Sequence, residues 1–538
     1  MPGAAHGGIS HGFGDRSDPV LETTVGGALL AAAEVWGNRV ALVDGVADAL
    51  ERRRWTFAQI ATQSRIVATA LLQHFGPGEH VAVWASNCPQ WILIEFGAAL
   101  AGLTLVTVNP AYQAKELEYV LKQSKAVGIL VAPEYRGRDL IAVVEDVMPR
   151  TPDLRQIVSL GRWQDFIESA TTPIALPEVR PDDIAQIQYT SGTTGFPKGA
   201  LLTHRGLSNN GRFYARAIGA RPGDVWVNPM PMFHTAGCGL LTLGALQTGG
   251  VHVIPPAFDP ILMLQLIESE RGSITLSVPT MLIGMLEQPH LSDFDLSSWR
   301  LVTLGGAPIP TDLVRKVQTL TPARVAIGFG QTEASPYITH TLPGDDESEW
   351  MGTVGKPLPQ CEIKIVDPES GQTLPLGKLG EICTRGYAVM KGYFNDEAAT
   401  RAALDGDGWL HTGDLGDLDA KGYCRVRGRL KDMIIRGGEN IYPREIEELL
   451  FSHPAVADVS VVGVPDPTWG EIPVAFIRAT DGPRPSDDEL RAFCREHLAP
   501  YKTPRHWRFV TQFPQTPSGK IQKFVLRDQF INEEPTSL

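Results

Sequence analysis

The chain has 538 residues, 43% of them hydrophobic and 20% charged, with a formal net charge of −13. That length exceeds what a single core usually fills, so more than one domain is expected, with the balance of a soluble globular protein. The acidic excess, relieved only by the basic run Arg52-Arg53-Arg54, gives no footing for a nucleic-acid partner.

Met1 to Asp18 is rich in glycine and histidine and lacks an apolar h-region. It predicts a disordered tail over residues 1–20, not a signal peptide. From Thr24 to about Leu160, helical and strand patterns alternate. Leu29–Ala33, Phe57–Leu72 and Gln113–Gln123 read as helices; His80–Trp84, Leu103–Val108 and Val127–Val131 read as short buried strands. The Arg52–Arg54 run falls on an expected solvated loop before a strand. Trp91 to Val108 is the nearest approach to a membrane span, but Glu95 interrupts it and it falls short of the roughly 18 apolar residues required. The alternation resumes after residue 200, where Thr203 can cap a helix to Ala217 and His252–Ile254 is a strand. This pattern predicts an α/β sheet protein.

From Met351 to Arg429 the character changes to short β-prone pieces, such as Glu362–Val366 and Gly380–Thr384, split by turns; a small β-rich subdomain is expected. A third region opens near Leu430. Pro443 starts a helix, Val456–Val464 and Pro473–Arg478 are strands, and Ser486-Asp-Asp-Glu489 opens a helix to His497. The predicted organisation is an N-terminal domain over 21–429 and a small, mobile α+β C-terminal domain over 430–538, with a hinge near 431. The six cysteines (Cys88, Cys238, Cys361, Cys383, Cys424, Cys494) form no C-x-x-C pair. They fit reduced thiols and a cytoplasmic location.

The most informative segment is Tyr189-Thr-Ser-Gly-Thr-Thr-Gly-Phe-Pro-Lys-Gly199, which follows the β-prone run Ile184–Tyr189. Glycines bring backbone N–H groups close to a ligand, and hydroxyls and a lysine add donors, so the segment suits a polyanion such as nucleotide phosphate. It is not a Walker A loop, because Phe196 and Pro197 separate Gly195 from Lys198; the second Gly-Lys pair, Gly519-Lys520, fails the same test. Gly328-Phe-Gly330-Gln-Thr-Glu333 is not a dinucleotide fingerprint, since Glu333 replaces the third glycine.

Thr190 to Gly199 resembles the signature of the adenylate-forming superfamily, which includes acyl- and aryl-CoA synthetases. The resemblance spans most of the chain through Met232-Phe-His234, Gly305-Gly-Ala-Pro308, Gly328-Phe-Gly-Gln-Thr-Glu333, Trp409-Leu-His-Thr-Gly-Asp414, Gly428-Arg-Leu-Lys-Asp432 and Pro517-Ser-Gly-Lys520, in the family's order. It implies ATP, Mg²⁺ and coenzyme A as cofactor and co-substrates, and assigns residues accordingly. Thr190, Ser191, Gly192, Thr193, Thr194 and Lys198 would grip the phosphates. Gly305, Gly306, Ala307 and Pro308 would wall the adenine. Gly328, Phe329, Gly330 and Gln331 would lie beside it, with Phe329 where the family commonly has a stacking tyrosine. Thr332 would touch phosphate and Glu333 would bind Mg²⁺, a hard oxygen ligand for a hard cation. Asp414 and Arg429 would hold the ribose. Lys520 would be the essential lysine of adenylation, a compact point charge between carboxylate and α-phosphate. His234 would border the acyl pocket, with His411 a weaker candidate. Lys431 would be the pivot, and Gly437 and Gly438 would meet the pantetheine arm.

The implied reaction is two-step: acid plus ATP gives acyl-AMP and pyrophosphate, and the CoA thiol then forms the thioester. The chain ends at Leu538, shortly after Lys520, leaving no room for a carrier domain and favouring a free thiol. Asn87-Cys-Pro-Gln-Trp91 and Val108-Asn-Pro-Ala-Tyr-Gln113 resemble fatty acyl-CoA synthetases, the medium-chain branch especially. The acid pocket is expected from Asn228 to Gly239 and from Ser335, Pro336 and Tyr337. It lacks a lysine or arginine for a second carboxylate, so an aliphatic or aryl monocarboxylic acid is expected rather than a dicarboxylate; the resemblance implies a medium- or long-chain fatty acid. Asp259 is the one acidic residue considered for an amino-acid ammonium. An aryl-CoA ligase, an enzyme loading a separate carrier protein and a silent adenylate-binding protein are the alternatives. A homo-oligomer is compatible with the sequence, which does not fix the oligomeric state.

Overall fold

The computed structural model describes residues 8–170, 174–190, 197–307, 309–342, 345–516 and 520–533, with only the backbone at 348–349. Two largely parallel sheets frame the N-terminal part. In one, the order is Lys198–Thr203, Ile184–Thr190, Thr104–Val108, His80–Trp84, Gly128–Val131, Gln156–Ser159. Its central strands are near-continuous apolar runs, buried along almost their whole length, as parallel strands covered by helices on both faces must be. Its edge strand Lys198–Thr203 is antiparallel, with Thr190 opposite Lys198.

The second sheet has nine strands among the described residues. Its parallel core runs Arg324–Gly330, Leu301–Leu304, Ile274–Ser277, Val225–Val227, Val251–Ile254, Val40–Asp44. Antiparallel strands Tyr337–His340 and Lys356–Pro357 extend one edge and Arg54–Thr56 the other. Helices begin where hydroxyls satisfy the open N–H groups of a first turn. Thr24 accepts from Gly27 N at 2.8 Å to open Val25–Trp36, and Thr203 from Gly206 N at 3.0 Å to open His204–Ala217.

A third, antiparallel sheet contains Cys361–Val366, Gly380–Gly386, Leu410–Leu418 and Cys424–Arg429. Its first strand is His11–Phe13, paired with Cys361–Val366. The expected disordered tail is therefore corrected for residues 8–20: the alternation of His11 and Phe13 around Gly12 completes a sheet edge, and Asp18 pairs with Arg212 and Arg216. Residues 1–7 lie outside the described residues. The last sheet joins Glu439–Ile441, Ile434–Arg436, Gly470–Ala479 and Val456–Asp466, with His506–Phe509 parallel to Gly470–Ala479. Its core is separate from those of the other sheets, built on residues such as Ile446, Leu450, Val461 and Trp507.

The Arg52–Arg54 run does precede a strand, Arg54–Thr56, with Arg53 and Arg54 exposed, but Arg52 is corrected. The Arg52 side chain is 3% exposed and its guanidinium meets Glu270 at 2.9 Å and Ser269 at 2.6 Å, while Arg54 reaches the same carboxylate at 2.8 Å. A charge that deep persists only because it is paired and hydrogen-bonded. Among the described residues no helix is long and apolar enough to cross a membrane, and all six cysteines are free.

Candidate active site

The parallel strands Ile274–Ser277, Leu301–Leu304 and Arg324–Gly330 end at the same edge, the place where open α/β sheets bind ligands. Beyond Leu304 the chain turns through Gly305 and Gly306. Gly306 has φ +77°, a conformation glycine tolerates and other residues resist. A Cβ at Gly306 would stand 3.4 Å from Cε of Lys520 and 3.5 Å from Val278. The lysine from the C-terminal region thus lies directly over the glycine turn. A short β-bridge between Gln515 and Ile521 presents it, with Lys520 N donating to Thr516 Oγ1 at 3.1 Å and Thr516 N to Lys520 O at 2.8 Å. Burial and the nearby Arg429 guanidinium hold its ammonium below the usual lysine range, while Asp414 and Glu333 pull it upward.

Asp414 and Arg429 face each other across two antiparallel strands, with Nε to Oδ1 at 2.9 Å. Asp414 is buried, which pushes its carboxyl above the usual range; Arg429, then Lys520 and Lys431, oppose the rise. The turn before it is held by Glu381, which accepts from Gly413 N at 3.0 Å and pairs with His411 at 2.7 Å. His411 therefore braces the site from behind. Lys431 is exposed in the single 3-10 turn Leu430–Asp432 that links the third sheet to the last.

Thr332 and Glu333 are buried in a tight turn after Gly330. Tyr393 OH donates to Glu333 Oε1 at 2.7 Å, and the Lys198 ammonium lies 5.2 Å from the centre of the same ring. Tyr393 thus joins the lysine of the signature to the candidate metal carboxylate. Sequence reasoning missed it; its only local signal is an aromatic after Gly392 in a glycine- and asparagine-rich turn. A buried carboxylate is a hard oxygen ligand that can share a cation with phosphate oxygens, so the Glu333 donor fits Mg²⁺. Thr190 and Lys198 close the two strands flanking the signature. Ser191, Gly192, Thr193 and Thr194 lie outside the described residues, as does Pro308. Ala307 and Gln331 are half-buried at the ends of their turns, as is Phe329. Gly330 is obligatory, since a Cβ there would stand 1.9 Å from Pro336 O.

His234 is half-buried at the foot of a loop pinned from another element: Asn87 donates to Met230 O at 3.0 Å and accepts from Met232 N at 2.8 Å. This is a structural reason for the Asn87 motif. Ala236 N donates to His234 Nδ1 at 3.2 Å, which leaves the proton of the neutral ring on Nε2. Burial, aided by Lys520, pushes its pKa down to about 3. Asp259, the candidate for an amino-acid ammonium, caps the helix Pro260–Ser269, accepting from Leu262 N at 2.8 Å. Gly437 and Gly438 are not gathered with the other residues. Gly437 packs on Trp469, to whose carbonyl its N–H donates at 2.7 Å, and a Cβ at Gly438 would meet nothing within 4 Å.

A model of AMP-binding enzymes matches residues 29–394, and one of the AMP-binding enzyme C-terminal domain matches residues 445–520. YngI of Bacillus subtilis (strain 168), provisionally named an acyl-CoA synthetase, is 41% identical, covering 95% of this chain and 98% of that protein. The mitochondrial medium-chain acyl-CoA ligase ACSF2 of Macaca fascicularis is 35% identical over 97% of this chain and 90% of its own length. The crystal structure of the anthranilate CoA ligase AuaEII in complex with anthranoyl-AMP superposes with a TM-score of 0.87 at 29% identity, covering 95% of this chain and 98% of that one.

Proposed function

The chain belongs to the AMP-binding enzyme family, and on that footing we propose that it is an ATP-dependent acid–thiol ligase converting a monocarboxylic acid, through its acyl-adenylate, to the CoA thioester. The observation that carries this reading is the placement of Lys520 over Gly306, within the field of Asp414, Glu333 and His234. A cation fixed there can draw the acid's carboxylate against the α-phosphate and hold the charge that builds on it.

The other residues divide the work. Lys198 and Thr332 hold phosphate oxygens. Asp414 accepts from the ribose hydroxyls while Arg429 keeps it charged despite its burial. Neutral His234 presents Nε2–H beside the reacting carboxylate without adding charge. Mg²⁺, bound through Glu333, would neutralise charge on the departing pyrophosphate. Tyr393 orients the Glu333 carboxylate for it.

The arrangement suits the first half-reaction. Gly437 and Gly438, standing apart, suit the second if the region after residue 430 turns about Lys431 and withdraws Lys520. The division into 21–429 and 430–538 is part of this proposal, supported by the separate C-terminal core and the single-turn connection. The similarity to a medium-chain ligase favours an aliphatic acid; the AuaEII likeness keeps an aryl acid as the second reading.

The test is AMP formation from Mg-ATP with a panel of aliphatic and aryl acids, with and without CoA. CoA-dependent AMP release for one acid class is expected. Acid-dependent pyrophosphate release indifferent to CoA would overturn the thiol assignment.

A further inference from the structure

Glu381 and Cys383 stand two apart on the strand Gly380–Gly386, and His411 lies directly opposite Cys383 on Leu410–Leu418. Directly opposite residues on neighbouring strands bring their side chains together. Three different donors meet here: a thiol, an imidazole nitrogen and a carboxylate oxygen, all within 4.8 Å of one another. His411 Nδ1 lies 3.5 Å from Cys383 Sγ and 2.7 Å from Glu381 Oε2. Among the described residues no other trio of histidine, cysteine or carboxylate side chains is gathered this way.

The surroundings orient these donors. Glu381 Oε1 accepts from Gly413 N at 3.0 Å, which leaves Oε2 turned to the imidazole. On the other side of the ring, Nε2 faces Asp405 Oδ2 at 3.8 Å. Asp405 is itself fixed: its Oδ1 accepts from Trp409 N at 2.8 Å and from Asp407 N at 3.0 Å, and its Oδ2 pairs with Lys364 at 3.9 Å. An imidazole that binds a metal through one nitrogen usually directs its other N–H to a carboxylate, and His411 stands between such groups. Cys383 packs with Val366 and Trp409 in a small apolar cluster, while His411 is only half-buried and leaves a way in from solvent.

We propose that Cys383, His411 and Glu381 hold a thiophilic divalent cation of the Zn²⁺ class, in a site separate from the Mg²⁺ carboxylate Glu333. The donor set selects the ion: thiolate and imidazole suit zinc-like cations, whereas Mg²⁺ takes oxygen. Donors bound tetrahedrally at about 2.0–2.3 Å stand about 3.3–3.7 Å apart. The thiol–imidazole distance already fits, and the Glu381–His411 contact needs to open by about half an ångström. The thiol proton leaves to solvent as the cation enters, and the neutral ring keeps its proton on Nε2, facing Asp405. Water takes the fourth position. Opposite Glu381 and Cys383 stand Leu415 and His411, so Thr412, Gly413 and Asp414 form an irregularity between the two ligand positions. A cation there ties down both ends of the segment that presents Asp414. The site does not depend on the ligase reading.

Co²⁺, a spectroscopic stand-in for Zn²⁺, is titrated into the full-length protein with Mg²⁺ in excess and no nucleotide. One equivalent is expected to raise a thiolate-to-cobalt charge-transfer band with tetrahedral d–d bands, all erased by Zn²⁺. Cys383→Ser is expected to abolish the charge-transfer band, while Cys494→Ser, which alters a buried thiol of the C-terminal core, keeps it. Asp405→Asn retains the Oδ1 acceptor and is expected to weaken binding about ten- to hundredfold. A wild type without the thiolate band, or a band that survives Cys383→Ser, overturns the proposal, and undiminished affinity in Asp405→Asn overturns the orienting role of Asp405. Zinc-edge X-ray absorption of the wild type decides the matter even where Cys383→Ser does not fold. One sulfur at about 2.3 Å beside nitrogen and oxygen supports the site, and a shell without sulfur overturns it.

Discussion

The two sides of the site are built differently. The face formed by the first three sheets is fixed by contacts between separate elements: Asp414 against Arg429, Glu333 against Tyr393, the His234 loop against Asn87. Lys520 is held only locally, by the Thr516–Lys520 bonds and the bridge between Gln515 and Ile521. A preorganised face lowers the reorganisation needed as charge develops, and a lysine on a local turn can leave without disturbing that face. On the proposed reaction, the difference separates residues expected to serve one half-reaction from those expected to serve both.

The sharpest way to break the comparison is Lys520→Ala. Adenylation is expected to fall about a hundred- to thousandfold, as when a single charge-stabilising donor is lost. Thioester formation from supplied acyl-AMP should fall far less. Equal losses in both half-reactions, measured separately by pyrophosphate release and thioester yield, would mean that the lysine belongs to the fixed face.

Asp414→Asn tests the opposite side. The ribose is present in ATP and in acyl-AMP, so both half-reactions should suffer, with KM for ATP rising about tenfold or more for a lost charge-assisted hydrogen bond. An unchanged KM would remove Asp414 from the nucleotide site.

The fixed face should also be the part sensitive to acid. Burial lowers the pKa of His204 and His340 from 6.5 to about 4 and that of His252 to about 3. These rings are neutral when folded but take up protons when unfolded. Their stabilisation is complete above about pH 6.5 and is lost as pH falls toward the folded values, by up to about 1.4 kcal/mol per pH unit for each histidine. Denaturant titrations at pH 7 and 5 check the sign, and equal stability at the two would refute it. His234, lowered to about 3, stays neutral over this range, so an acid limb of kcat/KM between pH 5 and 7 must come from another group.

Much of this was legible in the chain. The helices over Phe57–Leu72 and His204–Ala217 and the strand His80–Trp84 follow from local periodicity and capping, which operate over a few residues. The motifs carrying Gly306, Glu333, Asp414 and Lys520 could be read because each is a short string. What could not be read depends on partners far away in sequence. Arg52 looks solvated until Glu270 is placed beside it, and His11–Phe13 looks like tail until Cys361–Val366 offers an open edge.

Tyr393 is the subtlest case, and its expected effect is the smallest. Its hydroxyl reaches Glu333 while its ring faces the Lys198 ammonium, so one side chain serves two functions that substitution can separate. Tyr393→Phe keeps the ring and removes only the hydrogen bond, worth about 0.5–1.5 kcal/mol. A few-fold rise in the Mg²⁺ concentration for half-maximal adenylation is expected, with thermal stability almost unchanged. Tyr393→Leu also removes the cation–π contact and should weaken ATP binding further. If both variants change ATP affinity alike and leave the Mg²⁺ dependence alone, the hydroxyl does not orient Glu333, and the link between the signature lysine and the carboxylate is one of packing.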